Sequence, residues 1–206
     1  MKVLIVNQSE VRQLLPMREC IDVMAETLSA LARGEATQPL RQIMWLPEKI
    51  GALGMMPGFL GNVNAVGLKA ITVFPGNHGT DFDSHQGAVL LFDTIHGQLL
   101  SMMDATSITA IRTAAVSGVA TRLLARQDAA SLAILGSGVQ AKTHLAAMME
   151  VRTITTVRVW SRNAGRAERF AEKEAARHGI TINVSASVQE AVDGSGIICT
   201  TTAAPE

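Results

Sequence analysis

The sequence predicts an α/β protein: a doubly wound parallel sheet, incomplete at four strands, preceded by an α+β domain that is mostly sheet with a helix on it. Three observations predict this. From residue 131 onward, apolar strands alternate with helical stretches, as in a parallel sheet with crossover helices. Before that, short apolar runs are punctuated by Gly, Pro and turn residues, as in antiparallel strands. At the head of the second part, Leu132-Ala133-Ile134-Leu135-Gly136-Ser137-Gly138-Val139-Gln140-Ala141 runs an apolar strand into G-x-G-x-x-A and then a helix.

In chain order, Ser9 is placed to cap a short helical turn, and Pro16 starts a longer helix with Ile21, Met24, Ala25, Leu28, Leu31 and Ala32 as its apolar stripe. Gly34 is a natural stop. Gln38-Pro39-Leu40 introduces a strand over Arg41–Leu46, followed by strands near Ala52–Met56 and Val66–Val73. Gly87–Asp93 and Gln98–Met103 form a hairpin around His96-Gly97. A long helix rich in small residues (Ala110, Ala114, Ala115, Gly118, Ala120) begins at Ser107 and bridges to the second domain. The predicted domains are 1–126 and 127–206. The second reads strand 131–135, helix 139–150, strand 156–161, helix 164–178, strand 181–184, helix 187–193 and strand 196–201. A complete fold of this kind has about six such strands.

Composition excludes several classes. The 206 residues are 48% hydrophobic and 17% charged, which suits a buried core and argues against disorder. Formal net charge is zero, so no electrostatic case exists for nucleic acid or an anionic membrane. Cys20 and Cys199 are too far apart for a redox or metal spacing. With no secretory leader and no apolar run of about 20 residues, the chain reads as cytoplasmic with reduced thiols. No histidine spacing suggests a metal site.

The chemistry concentrates in a few places. Gly136 permits the tight strand-to-helix turn, Gly138 lets a pyrophosphate approach the backbone, and Ala141 lets the helix pack close to the sheet. The helix N-terminus then offers free N–H groups to phosphate, so a dinucleotide site on a Rossmann-type sheet is expected. After the second strand, Trp160-Ser161-Arg162-Asn163 carries an Arg where NAD sites usually carry an acid. Ser161 and Arg162 therefore favour NADP(H) over NAD(H). In the first part, Arg41, Lys69 and Arg112 stand out. Lys69 interrupts an apolar strand, where an unpaired ammonium is costly. Pattern alone leaves it between an edge-strand lysine and a functional cation. Arg112 lies on the small-residue helix, and its fork suits a carboxylate. Among His78, His85, His96 and His144, His85 can line a cleft, while His96 reads as a turn residue and His144 as structural.

Together these segments resemble the ornithine cyclodeaminase/mu-crystallin family. The matching stretches are Gln38-Pro39-Leu40-Arg41, Gly54-Met55-Met56-Pro57, Gly67-Leu68-Lys69, Ser84-His85-Gln86, Arg112-Thr113-Ala114-Ala115, Gly136-Ser137-Gly138-Val139-Gln140-Ala141 and Trp160-Ser161-Arg162. The resemblance implies a substrate-binding and dimerisation domain before the Rossmann domain, and a homodimer. It implies hydride transfer between a nicotinamide and the Cα of an amino acid or its imine. By resemblance, Arg41, Lys69 and Arg112 bind the substrate, with Lys69 also assisting proton transfer. Thr113, Gly136, Ser137, Gly138, Val139, Gln140, Ser161, Arg162, Asn163 and Thr201 contact the cofactor, with Ser84, His85 and Gln86 towards its nicotinamide. Cyclodeaminases need an acid for a second amine, which the resemblance places at Gly54. A ketimine reductase or amino-acid dehydrogenase is therefore favoured over a cyclodeaminase. The resemblance also implies that the fold continues past Glu206 with further strands and a catalytic acid. A truncated, non-catalytic nucleotide-binding or dimerisation protein is the alternative of another class. A short-chain-type oxidoreductase is excluded because the chain has no tyrosine.

Overall fold

The computed structural model describes residues 2–77 and 80–202, so His78 lies outside the described residues. They gather into two compact units: Met1–Pro16 with Val23–Thr109, and Met17–Asp22 with Ala110–Glu206.

The first unit is built on a seven-stranded mixed sheet. Its strands are β1 (Leu4–Val6), β2 (Ala36–Thr37), β3 (Gln42–Trp45), β4 (Ala52–Leu60), β5 (Ala65–Val73), β6 (His85–Asp93) and β7 (Leu99–Asp104). The order is β1-β7-β6-β5-β4-β2, with β3 also on β4. Only the β1–β7 pair is parallel. Two short strands share one edge of β4: Ala36–Thr37 faces Leu60–Phe59, and Gln42–Trp45 faces Met55–Ala52. Residues 38–41 arch away between them, opposite Met56–Gly58. Pro57 sits in that gap, where its missing N–H leaves no ladder bond unmade.

Helix α1 (Gln8–Leu14) starts at Asn7, not Ser9. Asn7 Oδ1 accepts from the N–H groups of Ser9 and Glu10, and the Glu10 carboxylate accepts from the Asn7 N–H, a complete capping box. Helix α2 (Met17–Ala32) follows Pro16 and ends before Gly34, whose φ of +76° suits only glycine. Helix α3 (Ala105–Leu124) begins directly after β7, with the Asp104 carboxylate accepting from the Ser107 N–H.

The second unit carries a four-stranded parallel sheet of β8 (Ser131–Leu135), β9 (Thr156–Trp160), β10 (Ile182–Val184) and β11 (Ile197–Thr200). Its order is β10-β9-β8-β11, which reverses direction between β8 and β11. Helices α4 (Val139–Val151), α5 (Ala164–His178) and α6 (Val188–Val192) connect the strands. Right-handed crossovers put α4 and α5 on one face and α6 on the other, which is the doubly wound arrangement. Leu132, Ala133, Ile134, Val157 and Val159 are almost fully buried, as strands covered on both faces require.

Helices α3 and α4, with the residue that follows each, are joined by polar bonds that include a series at a constant offset of 27 residues. Ser117 Oγ lies 3.1 Å from His144 Nε2, Thr121 Oγ1 donates to Met148 Sδ, and Arg152 Nη2 donates to Ala125 O. Small residues permit this approach: a Cβ on Gly118 would lie 3.0 Å from Ile21 Cδ1 and 3.6 Å from Ala147 Cβ. Arg152 is buried and donates to the carbonyls of Thr121, Arg122, Ala125, Arg126 and Val151. It thereby satisfies the orphan acceptors at the end of α3.

Candidate functional site

Two groups of residues carry the chemistry, one in each unit.

The first lies on the helix-covered face of the large sheet. Side chains alternate across a strand, so Ala52, Gly54 and Met56 on β4 share a face with Lys69 and Ile71 on β5 and with Val89 on β6. Lys69 pairs with Met56 on one side and Val89 on the other. Arg41 stands one residue before Gln42, the first residue of β3 paired with β4. Lys69 is half-buried, and its Nζ donates to Thr109 Oγ1 at 3.3 Å. Arg41 is exposed on the arch.

The sheet also fixes the 84–86 stretch. His85 and Gln86 open β6, two residues earlier than expected. Ser84 Oγ lies 3.0 Å from His85 Nδ1, Thr106 Oγ1 donates to His85 O, and Gln86 Nε2 donates to Asp83 O. Gly87 cannot carry a side chain, because a Cβ would run into the Ala70 carbonyl. Thr106 and Thr109 are three apart on α3, so one helix face reaches both β6 and the Lys69 ammonium.

Arg112 and Thr113 follow on α3 at three and four residues from Thr109, on the same helix face, and are half-buried. Arg112 lies close enough to Cys20 to act on its thiol. Burial raises that thiol's pKa, and the guanidinium partly opposes the rise. Cys199, buried in β11 without such a neighbour, is pushed up to about 11. Neither thiol is a thiolate at neutral pH, which removes both as nucleophiles.

The second group is the glycine turn, at the point where the sheet order reverses. Gly136 has φ of +126°, and a Cβ there would lie 2.6 Å from Thr201 Oγ1. Thr201 closes the turn, since its N–H and its hydroxyl both donate to Leu135 O. Gly138 faces open space, with nothing within 4 Å of its Cβ direction. Ala141 is fully buried under the sheet. Val139 is exposed at the start of α4, and Gln140 Oε1 is buried with no hydrogen-bond partner. An orphaned acceptor beside an open glycine and the bare N–H groups of α4 fits a bound dinucleotide.

At the end of β9, Ser137 Oγ donates to Ser161 Oγ at 3.2 Å, tying the turn to the segment expected to read the adenosine end. Arg162 is exposed beside it. The Asn163 side chain accepts from the Arg166 N–H and is the N-cap of α5. Its oxygen is therefore engaged in the helix. Among the described residues, no group of three or more His, Cys, Asp or Glu side chains is placed to hold a metal ion. No described helix is long and apolar enough to cross a membrane.

Sequence reasoning did not find Thr106 and Thr109. Threonines inside a helix carry no signature of their own; only their spacing of three, ahead of Arg112, marked a face.

Comparison with known proteins agrees with this architecture. The mouse (Mus musculus) ketimine reductase mu-crystallin is 41% identical over 173 residues, covering 84% of this chain and 54% of that protein. The solved structure of the Thermococcus litoralis Δ1-pyrroline-2-carboxylate reductase, with NADH and L-proline, superposes with a TM-score of 0.93 at 36% identity. It covers 97% of this chain and 62% of that one. An archaeal alanine dehydrogenase dimer with bound NAD superposes at 0.90 with 30% identity, covering 98% and 61%. The chain thus spans a little over half the length of the relatives it matches. The profile of the ornithine cyclodeaminase/mu-crystallin family covers residues 1–206, and the chain belongs to that family.

Proposed function

We propose that these residues form the substrate and cofactor framework of an NAD(P)-dependent imine reductase. It acts on the imine of an α-amino acid, cyclic or acyclic, and runs as an amino-acid dehydrogenase in reverse. The observation that carries this reading is Lys69, a half-buried cation on the helix-covered face of an interior strand, beside the sheet edge where the arch ending in Arg41 joins β3. Cations so placed suit a carboxylate, and fixing the carboxylate orients the adjacent carbon. Arg112 joins them in holding it. Lys69 gives its proton to the imine nitrogen. A bound nicotinamide dinucleotide supplies the hydride, with Gly136, Ser137, Gly138, Val139, Gln140, Thr113 and Thr201 forming its cradle and His85 and Gln86 bordering it.

Gly54 supports a substrate with an uncharged side chain. It is buried between Ile43 and Ile71 in register, and a Cβ there would be 3.3 Å from Met56 Cε and 3.7 Å from Ile71 Cγ2. Among the described residues, the strand positions that share this face (Ala52, Gly54, Met56, Lys69, Ile71 and Val89) include no Asp or Glu to pair with a second substrate amine. That weighs against a cyclodeaminase. Arg162, exposed beside Ser161, supports NADP(H) over NAD(H), because a guanidinium fork matches a 2′-phosphate.

The functional unit proposed is a homodimer. The sheet face opposite Lys69 carries Phe59, Val66 and Met102, each more than a third exposed, with Met44 and Ile5 more exposed still. A continuous apolar face of this kind marks an interaction surface.

The test is to titrate the purified protein with NADPH and NADH by nicotinamide fluorescence, then assay reduction of Δ1-pyrroline-2-carboxylate. NADPH is expected to bind tighter, and R162D to reverse the order. K69M is expected to lower turnover by at least about 100-fold while sparing cofactor binding. Normal turnover in K69M would overturn the role given to Lys69.

A further inference from the structure

We infer that Thr109 is a positioning residue for Lys69, holding the ammonium in line and taking up its hydrogen-bonding change when the proton leaves. This rests on the role proposed above for Lys69. The observation is the 3.3 Å contact from Lys69 Nζ to Thr109 Oγ1, made across 40 residues of sequence between a strand and a helix.

The surroundings explain why a hydroxyl is needed. A lysine on the covered face of a sheet loses water on most sides, and an ammonium has three N–H donors to satisfy. Its neighbours in the row, Met56 and Val89, offer no acceptor through their side chains. On the helix side of the sheet, the acceptor that the ammonium reaches is the Thr109 hydroxyl. Thr109 supplies a neutral acceptor on a rigid support. Its helix is tethered to the sheet one turn earlier, where Thr106 Oγ1 donates to His85 O at 2.9 Å.

A carboxylate at this place would pair with Lys69 and hold its proton too tightly. A hydroxyl is both donor and acceptor. While Lys69 is an ammonium, Thr109 Oγ1 accepts from it. In the reductive direction the Lys69 N–H bond breaks and a bond forms from that proton to the imine nitrogen. The imine carbon takes hydride from the reduced nicotinamide, which leaves oxidised. Lys69 is then a neutral amine whose lone pair first faces the imine; a turn about Cε–Nζ brings that lone pair to Thr109, whose O–H donates to it after rotating about Cβ–Oγ1. No heavy atom need move, so the lysine stays in place through both halves of the step.

Two readouts test this, one of them independent of turnover. The first is the rate at which acetic anhydride labels Lys69 in the cofactor-free protein at fixed pH, read by mass spectrometry. The exposed Lys49 and Lys173 serve as internal references. T109V is isosteric and lacks the hydroxyl, whereas T109S keeps it. In T109V the ammonium loses the Thr109 acceptor, so Lys69 is expected to label at least about threefold faster, with T109S close to the wild type. The second readout is imine reduction. T109V is expected to lower kcat about tenfold with KM changed less than about twofold, and T109S to restore it. Thermal melting of each variant shows that the fold is kept. Wild-type labelling and kcat in a folded T109V would overturn the inference, even where K69M abolishes turnover. Where K69M itself turns over normally, the role of Lys69 fails instead, and the labelling result still reports the contact.

Discussion

Gly136 and Gly138 stand two residues apart in one turn and do different work. At Gly136 the positive φ and the contact with Thr201 both exclude a side chain. G136A is therefore expected to destabilise the protein by about 2 kcal/mol or more, read as a lower urea midpoint. At Gly138 the backbone is extended, at φ −94° and ψ −165°, and nothing in the protein meets a Cβ. G138A is expected to fold with wild-type stability but to weaken NADPH binding, because the added methyl intrudes only where a pyrophosphate approaches. Equal loss of stability in both variants would contradict this division. Lys69 shows the limit of pattern reading at the same scale. Sequence alone cannot separate an edge-strand lysine from a functional one. The structure places it in an interior strand, between β4 and β6, with its ammonium on a helix hydroxyl.

Between elements, the junction of α3 and α4 is sensitive to acid. His144 Nδ1 lies 2.7 Å from Gln140 O, which can only accept, so Nδ1 carries the proton and Nε2 accepts from Ser117 Oγ. Burial lowers the pKa of His144 below its ordinary 6.5. The unfolded chain therefore binds the proton more readily than the folded one. This contribution is complete above about pH 6.5 and is lost as the pH falls towards the depressed folded value. Urea midpoints measured between about pH 7 and about pH 5 are expected to fall more steeply for the wild type than for H144Q. Parallel slopes would show that the histidine does not couple to folding. The element boundaries also show what a sequence can convey. The βα alternation after residue 131 was legible because its apolar runs and caps agree. By contrast, the sequence places a strand near Ala52–Met56, whereas β4 runs on through Pro57 to Leu60. A proline is tolerated there because the neighbouring edge is empty at that level, a fact about pairing that no local pattern carries. Helix α3 likewise starts at Ala105, two residues before the Ser107 that the sequence suggests, because its cap, Asp104, is also the last residue of β7.

For the whole molecule, the open face of the large sheet is the feature with the widest reach. Its apolar residues come from β1, β3, β4, β5 and β7, so it is a property of the assembled sheet and is invisible in any one strand. F59E is expected to convert the proposed homodimer to a monomer in sedimentation velocity without changing the melting of the second unit. An unchanged sedimentation coefficient would move the dimer contact elsewhere. The chain also has only two indoles and no phenol, and the fold stations the indoles far apart in role. Trp45 ends β3 and is 62% exposed at the rim of that sheet. Trp160 ends β9, pairs with Leu135, and its carbonyl accepts from the Gly136 N–H. Ultraviolet emission from this protein therefore has two sources, one at the sheet edge and one at the mouth of the glycine turn. A W45F version would glow from a single point, and energy passing from that indole to a reduced nicotinamide would time the arrival of the nucleotide in a stopped-flow cell with no added dye.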